Sequence, residues 1–273
     1  RPSPTATTSE MLGSSLSSAD DMLRGAGRKL ASRHPAWEGV LLHARDKYAR
    51  AVVFARSLSN RLKYDAPPDP YRLIDVDPQR IVHNDPLPRP RFKDAGRVVG
   101  GNWDRDRDRF EDMAVYRAYE AHFERGVPWT ETEFFDLVIE DIENGFVQWG
   151  CRSREEFEER TRRLDVLYEN IRTGGYKTQD ELMNSDVHDP IKEQHALKTE
   201  RLKDEIAVNI GRDGEVFFSD GRNRLSIAKL LDLDSVPVRV LRRHEGWQEI
   251  RDAYVNGEAV PDGLEDHPDL AGL

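Results

Sequence analysis

"DEIAVNIGRDGEVFFSDGRNRLSIAKLLDLDSVPVRVL", residues 204–241, decides the fold. Two apolar, β-branched runs at 206–210 and 215–218 flank Asp213-Gly214, and an Asp-Gly pair between such runs is the strongest short-range sign of a hairpin. After the second run, "SDGRNRLSIAKLL" (219–231) reads as a loop that tips into a helix at about 222–231. "VPVRVL" (236–241) then reads as a third strand. Strands and a helix alternating within so short a segment predict an α+β fold built on a small mixed sheet.

Outward from this core, "YRLIDVDPQRIV" (71–82) alternates apolar and polar residues and predicts an opening strand closed by a turn. "HNDPLPRPRFKDAGRVVGGNWD" (83–104) is too rich in Pro and Gly for regular structure. A helical region is expected from near Asp108 to about Asn170. It is interrupted at "RGVPWT" (125–130), where Thr130 is the expected cap, and at "ENGFVQWGCRSREE" (143–156), where Ser153 and Glu156 have capping-box spacing. Trp103, Trp129 and Trp149 are expected to pack these inserted helices on the core, and none reads as a base-stacking residue in so acidic a domain.

The closely spaced prolines of "DAPPDP" (65–70) mark a boundary. Upstream, residues 35–63 carry Trp37, Leu41, Ala44, Tyr48, Ala51, Val52 and Phe54 at helical spacing with Arg45, Arg50, Arg56 and Arg61 between them, an amphipathic basic helix. A helix of this kind packs on its own domain or contacts DNA or a membrane surface. The Ser/Thr-rich residues 1–23 read as a disordered leader, 24–65 as the basic helical segment, 71–245 as the main domain with an insertion at about 94–163, and 246–273 as a C-terminal helix and tail.

Composition restricts the function classes. The 273 residues carry a net charge of −10, yet 24–63 holds ten Lys/Arg against two Asp/Glu, so the main domain is strongly acidic. Its overall field repels polyanions, and any anion it holds must be gripped locally. One cysteine, Cys151, leaves no internal disulfide and points to a reducing, cytoplasmic setting. No run approaches the roughly 18 apolar residues of a spanning helix.

The loop at 219–224 has the chemistry for local grip. A helix start presents unpaired N–H groups and a partial positive charge. Gly221 lets the backbone approach a ligand, Asp220 or Ser219 is placed to cap, and Arg222 and Arg224 offer forked donors for phosphate oxygens. The bland alternative is that the arginines pair with Asp213 or Asp220.

The hairpin, the "DGRNRLSIA" turn and the "VPVRVL" strand together resemble the nucleotide-binding core shared by ParB-type partition proteins and sulfiredoxins. Gly221-Arg222-Asn223-Arg224 keeps the first glycine and last arginine of their Gly-Glu-Arg-Arg and Gly-Cys-His-Arg turns; "ENIRTGGYKTQDEL" (169–182) and "LIDVDPQRI" (73–81) resemble other parts of the ParB core. The resemblance spans 71–93 and 164–240, with the helical region between as an insertion. It implies nucleotide phosphates on Gly221 and Arg224, with Asp220, Arg222 and Asn223 beside them, and ATP or CTP with Mg²⁺ as ligand. Arg222 stands where sulfiredoxins carry the reactive cysteine and ParB proteins a glutamate, which excludes sulfiredoxin chemistry and weakens the case for ParB-type CTP hydrolysis. Related kinases of this fold imply that phosphoryl transfer or hydrolysis is within its range. The alternatives are a non-catalytic ligand sensor, with DNA or membrane contact through the basic helix, or a ParB-like nuclease.

Turnover would need an acid at the turn, and the candidates are Asp104, Asp106 and Glu205. Asp104, Asp106 and Asp108 have the odd-position spacing of a calcium loop but lack its glycine and glutamate, so a self-paired charged loop is the plainer reading. His188 and His195 are separated by Pro190 and make a poor zinc pair. Arg243 and His244, at the end of the last core strand, are further candidates to line the site, against an ordinary helix anchored by Trp247.

Overall fold

The computed structural model describes residues 38–87, 92–105, 107–192 and 198–273. The leader, the basic segment before Glu38 with Trp37, Asp106 and His195 lie outside the described residues. The chain divides into two compact units, 1–54 and 55–273. In the first, the described residues form the opening turns of helix α1 (Glu38–Lys63).

Everything else belongs to the second unit. The last turns of α1 are tied down there through polar side chains: Arg56 donates to the carbonyls of Lys93 and Ala95, and Asn60 Nδ2 donates to Gly96 O at 2.8 Å. Burial, with nearby Arg97, pulls the Arg56 pKa down to about 10.

A six-stranded mixed sheet follows, with β1 (Leu73–Val76), β2 (His83–Asn84), β3 (Arg97–Val99), β4 (Ile206–Ile210), β5 (Val216–Asp220) and β6 (Val236–His244). The order is β1-β6-β4-β5-β2, and β3 joins the free length of β6 beyond β1. β6 is antiparallel to β1 and parallel to β4; β4 and β5 form the expected antiparallel hairpin; β2 runs parallel to β5. β4, "IAVNI", is buried on both faces, as a near-continuous apolar run requires. The hairpin turns at Gly214, whose φ is +80° and where an added Cβ would lie 2.8 Å from the Trp247 ring; only glycine meets both conditions.

On one face of the sheet, α7 (Arg222–Leu230) inserts Leu225 and Ala228 among Ile206, Val208, Val238 and Val240. Its Ile227 faces the other way, into a second apolar cluster formed by helices α2 (Ala114–Arg125), α3 (Glu133–Glu143) and α4 (Arg154–Gly174). α7 is therefore the layer shared by the sheet and the inserted helices, and each fully buried leucine or isoleucine on it contributes about 1.5–3 kcal/mol. The insertion breaks into separate helices, the first starting at Ala114. Thr132, not Thr130, caps α3, accepting from Phe135 N at 3.3 Å, because Pro128 starts a short 3-10 turn that takes up Trp129–Glu131. Ser153 caps α4 as expected, while Glu156 reaches back to Arg152 N rather than to its own cap residue. Two short helices, α5 (Gln179–Met183) and α6 (Lys198–Lys203), lead into β4, and α5 carries a full Thr178–Glu181 capping box.

The C-terminal segment closes the opposite end of the sheet. Asp269, fully buried, accepts from Arg243, Arg251 Nη1 and Trp247 Nε1 of α8 (Glu245–Val255), at 2.5–2.9 Å. No described helix is long and apolar enough to cross a membrane.

Candidate functional site

β5 runs antiparallel to β4, so Gly221 lies beside Ile206, at the end of the sheet away from the Asp213-Gly214 turn. Gly221 has φ +92°, and a Cβ there would come within 2.9 Å of Ile206 Cα. The close approach sets the direction in which α7 leaves the sheet. The cap residue of α7 is Gly221, which has no side chain to offer, so among the described residues the first turn keeps its outward N–H groups and its positive end.

That end opens on a cleft of about 720 Å³ between the sheet and the insertion. Ser219, Asp220, Gly221, Arg222, Asn223 and Arg224 form one wall. The facing wall comes from the insertion, with Trp149 and Arg160, and from the 189–192 loop. The Arg222 guanidinium carbon lies 5.1 Å from the centre of the Trp149 ring and that of Arg160 lies 5.8 Å from it. Arg224 is buried deeper: its guanidinium stacks 4.2 Å from the Tyr176 ring and donates to Lys177 O, and among the described residues Nε and Nη1 have no hydrogen-bond acceptor. Asn223 Oδ1 is likewise buried without a donor.

Glu205 stands behind Arg224, 3.7 Å from Nη1, and takes a 2.6 Å hydrogen bond from Gln179 N. Burial pushes its carboxyl above the ordinary range, against the pull of Arg224. Of the candidate catalytic acids Asp104, Asp106 and Glu205, Glu205 alone is brought to the arginine turn among the described residues, and it serves there as the counter-ion of Arg224.

Three other candidate residues lie away from this cleft. Asp104 packs at the far, hairpin end of the sheet against Gly211, where Arg212 Nε and Nη2 clamp it at 2.7 Å each. Burial raises its pKa, but the Arg212 hydrogen bonds outweigh that and bring it down to about 2. It forms a buried ion pair with Arg212. Arg243 pairs in β6 with Ile210, again at the far end, and is occupied by Asp269. His244 caps α8 by accepting from Gly246 N, while its Nε2 lies 2.9 Å from Gly101 O. Both residues missed the site because β6 runs parallel to β4, so its C-terminal end points away from Gly221.

Sequence reasoning missed the acids that do line the cleft beside Asp220: Asp85, Asp189 and Asp204. Asp85 follows β2 and is brought next to Ser219 by the β2–β5 pairing; it accepts from Leu87 N at 2.8 Å, from Ser219 Oγ at 3.0 Å and from Asn209 Nδ2. Burial lifts its carboxyl above the usual range despite these donors and Arg242. Asp189 caps Ile191 and Lys192 backbone N–H groups, and Asp204 pairs with Lys192 Nζ at 2.7 Å. The Asp-Pro dipeptide at Asp85 was the one available signal, and it marks turns in general. Trp149 also departs from expectation: it packs edge-on against Phe134 but stays half-exposed on the cleft wall. Trp129 behaves as expected, buried among the inserted helices with Nε1 donating to Asp165 at 2.7 Å.

Among the described residues, no group of three or more His, Cys, Asp or Glu side chains is disposed to hold a metal ion. Comparison with known proteins finds no match among family models, curated proteins or solved structures.

Proposed function

We propose that this protein binds a phosphate-bearing ligand, in the first place a nucleotide, at the Gly221–Arg224 turn. The observation that carries the reading is that the uncapped first turn of α7 opens on a cleft flanked by Arg222, Arg160 and the partly unsatisfied guanidinium of Arg224. The resemblance of the turn to the ParB/sulfiredoxin-like core supports it, since Gly221 and Arg224 are the two positions that resemblance retains. Mg²⁺ would arrive on the phosphates of ATP or CTP. Arg222, Asn223 and the α7 N–H groups would take the terminal phosphate, while Glu205 holds Arg224 in place.

Phosphoryl transfer or hydrolysis is the catalytic form of this reading. Asp85 is the acid proposed for it, since it lies beside Ser219 at the cleft with its carboxyl pushed above the usual range, although that side chain is almost wholly buried against Arg242. A non-catalytic sensor is the second reading, favoured by the four donors that already hold Asp85 fixed, Leu87 N, Asn209 Nδ2, Ser219 Oγ and Arg242 Nη1. A nuclease fits less well, since four carboxylates on the cleft wall oppose a polyanionic backbone. Contact of the basic helix with DNA or membrane, and a cytoplasmic setting, stand as parts of the proposal that composition alone supports.

Calorimetric titration with ATP, CTP and GTP in Mg²⁺ tests it, run beside Arg222→Ala. Binding that weakens on the order of tenfold or more in the variant is expected, since a charge-assisted hydrogen bond contributes about 1.5–3 kcal/mol. No binding of any nucleotide to folded wild-type protein overturns the reading.

A further inference from the structure

The loop 144–150, "NGFVQWG", places a left-handed tryptophan beside the cleft. Gln148 and Cys151 pair in both directions, Cys151 N to Gln148 O at 2.8 Å and the reverse at 3.1 Å, closing a two-residue turn with Trp149 at φ +54° and Gly150 at φ +80°. Positive φ at both central positions is the conformation that Asn-Gly fills without strain. A tryptophan there is held in a left-handed backbone that disfavours any large side chain. Its neighbours Phe146 and Val147 are 61% and 54% exposed, an apolar tip turned to water. The strained turn aims the Trp149 ring across the cleft at the α7 N-terminus, one arginine side chain away, because Arg222 is the first residue of α7 and its guanidinium lies over that ring. Leu87, Val147, Leu167 and Ile191 supply apolar lining to the same cleft.

Resting on the phosphate-binding reading above, we infer that the ligand is a nucleotide whose base stacks on Trp149, in the position the Arg222 guanidinium now holds. A phosphate at the first turn of α7 would draw Arg222 towards it by charge-assisted hydrogen bonds, and the ring face so released is matched by a base, which has its own π-face. Base-to-aromatic stacking is tolerant of base identity, so affinity for several nucleotides is expected.

The test compares ATP, CTP and GTP with inorganic tripolyphosphate, all with Mg²⁺, by calorimetry on the full chain and on Trp149→Asn and Trp149→Tyr, with thermal melts of each. Asparagine suits the turn and removes the ring; tyrosine keeps a ring. At least one nucleotide is expected to bind wild type on the order of tenfold more tightly than tripolyphosphate. Trp149→Asn should bring it to the tripolyphosphate level without altering tripolyphosphate affinity, and Trp149→Tyr should restore most of the difference. Equal affinity for nucleotide and tripolyphosphate in wild type overturns the inference while leaving the phosphate site standing. So does a Trp149→Asn effect that falls equally on both ligands, or none at all. Should Trp149→Asn fail to fold, the wild-type comparison and Trp149→Tyr against Trp149→Leu decide the matter by the same criterion. Failure of both ligand classes to bind folded wild type removes the phosphate site and the base platform together.

Discussion

Glu205 Oε2 lies 3.7 Å from Arg224 Nη1, and both side chains are almost wholly out of water. The pair joins the start of β4 to the first turn of α7, so the helix end that faces the cleft is anchored from behind by a buried charge. Removing one partner strands the other, at a cost of about 3–5 kcal/mol. Arg224→Ala and Glu205→Ala should each lower the unfolding free energy read from urea titration by that order, whereas Arg224→Met with Glu205→Leu should cost far less than the sum. Additive losses in the double variant would mean that the two charges do not act as a pair.

Gly221→Ala should destabilise by about 2 kcal/mol or more, since a left-handed backbone and a 2.9 Å contact with Ile206 Cα coincide at that position. Denaturant titration measures it. A loss below about 0.5 kcal/mol, the size of a neutral surface change, would show that the turn relaxes without difficulty.

Asp104 predicts a pH dependence. Its folded pKa, about 2, is below the ordinary aspartate value, so its contribution is fully present above that ordinary value and is lost as pH falls towards 2. The shift corresponds to roughly 2 kcal/mol. Comparison of wild type and Asp104→Asn by chemical denaturation should show that difference at pH 6 and little of it at pH 2. Asp85 and Glu205 act in the opposite sense: with raised folded pKa values, each weakens the fold as pH rises through the window above the unfolded carboxylate value.

Asp269→Ala leaves Arg243 and Arg251 buried around a missing anion, and a loss of about 3–5 kcal/mol is expected in thermal or urea unfolding. Ligand affinity, measured on the folded fraction, should not change, because this cluster lies at the far end of the sheet from Gly221.

Asp220→Asn tests the electrostatics of the cleft. Asparagine retains an acceptor for Gly221 N, which Asp220 Oδ1 binds at 2.8 Å, while removing a negative charge beside the α7 N-terminus. Nucleotide affinity should rise severalfold at low salt and the gain should shrink as salt is added. An affinity that falls would assign Asp220 a direct role with the ligand's cation.

The local signals in the sequence were enough for the elements around the site. Asp213-Gly214 between β-branched runs specified the hairpin, Gly221 followed by Arg222 and a small-apolar helix specified the turn, and Ser153 specified a helix start, because each depends on residues within a few positions of one another. The pairing directions in the sheet were decided only by tertiary structure. With β6 parallel to β4, Arg243 and His244 went to the end away from Gly221; with β2 parallel to β5, Asp85 came to Ser219. Strand alternation is the same for either direction, so no local pattern carries that information. The position of Trp149 was decided the same way: its ring packs edge-on against Phe134 from a left-handed turn that tryptophan does not favour, and the chain around it does not encode which surface the ring will face.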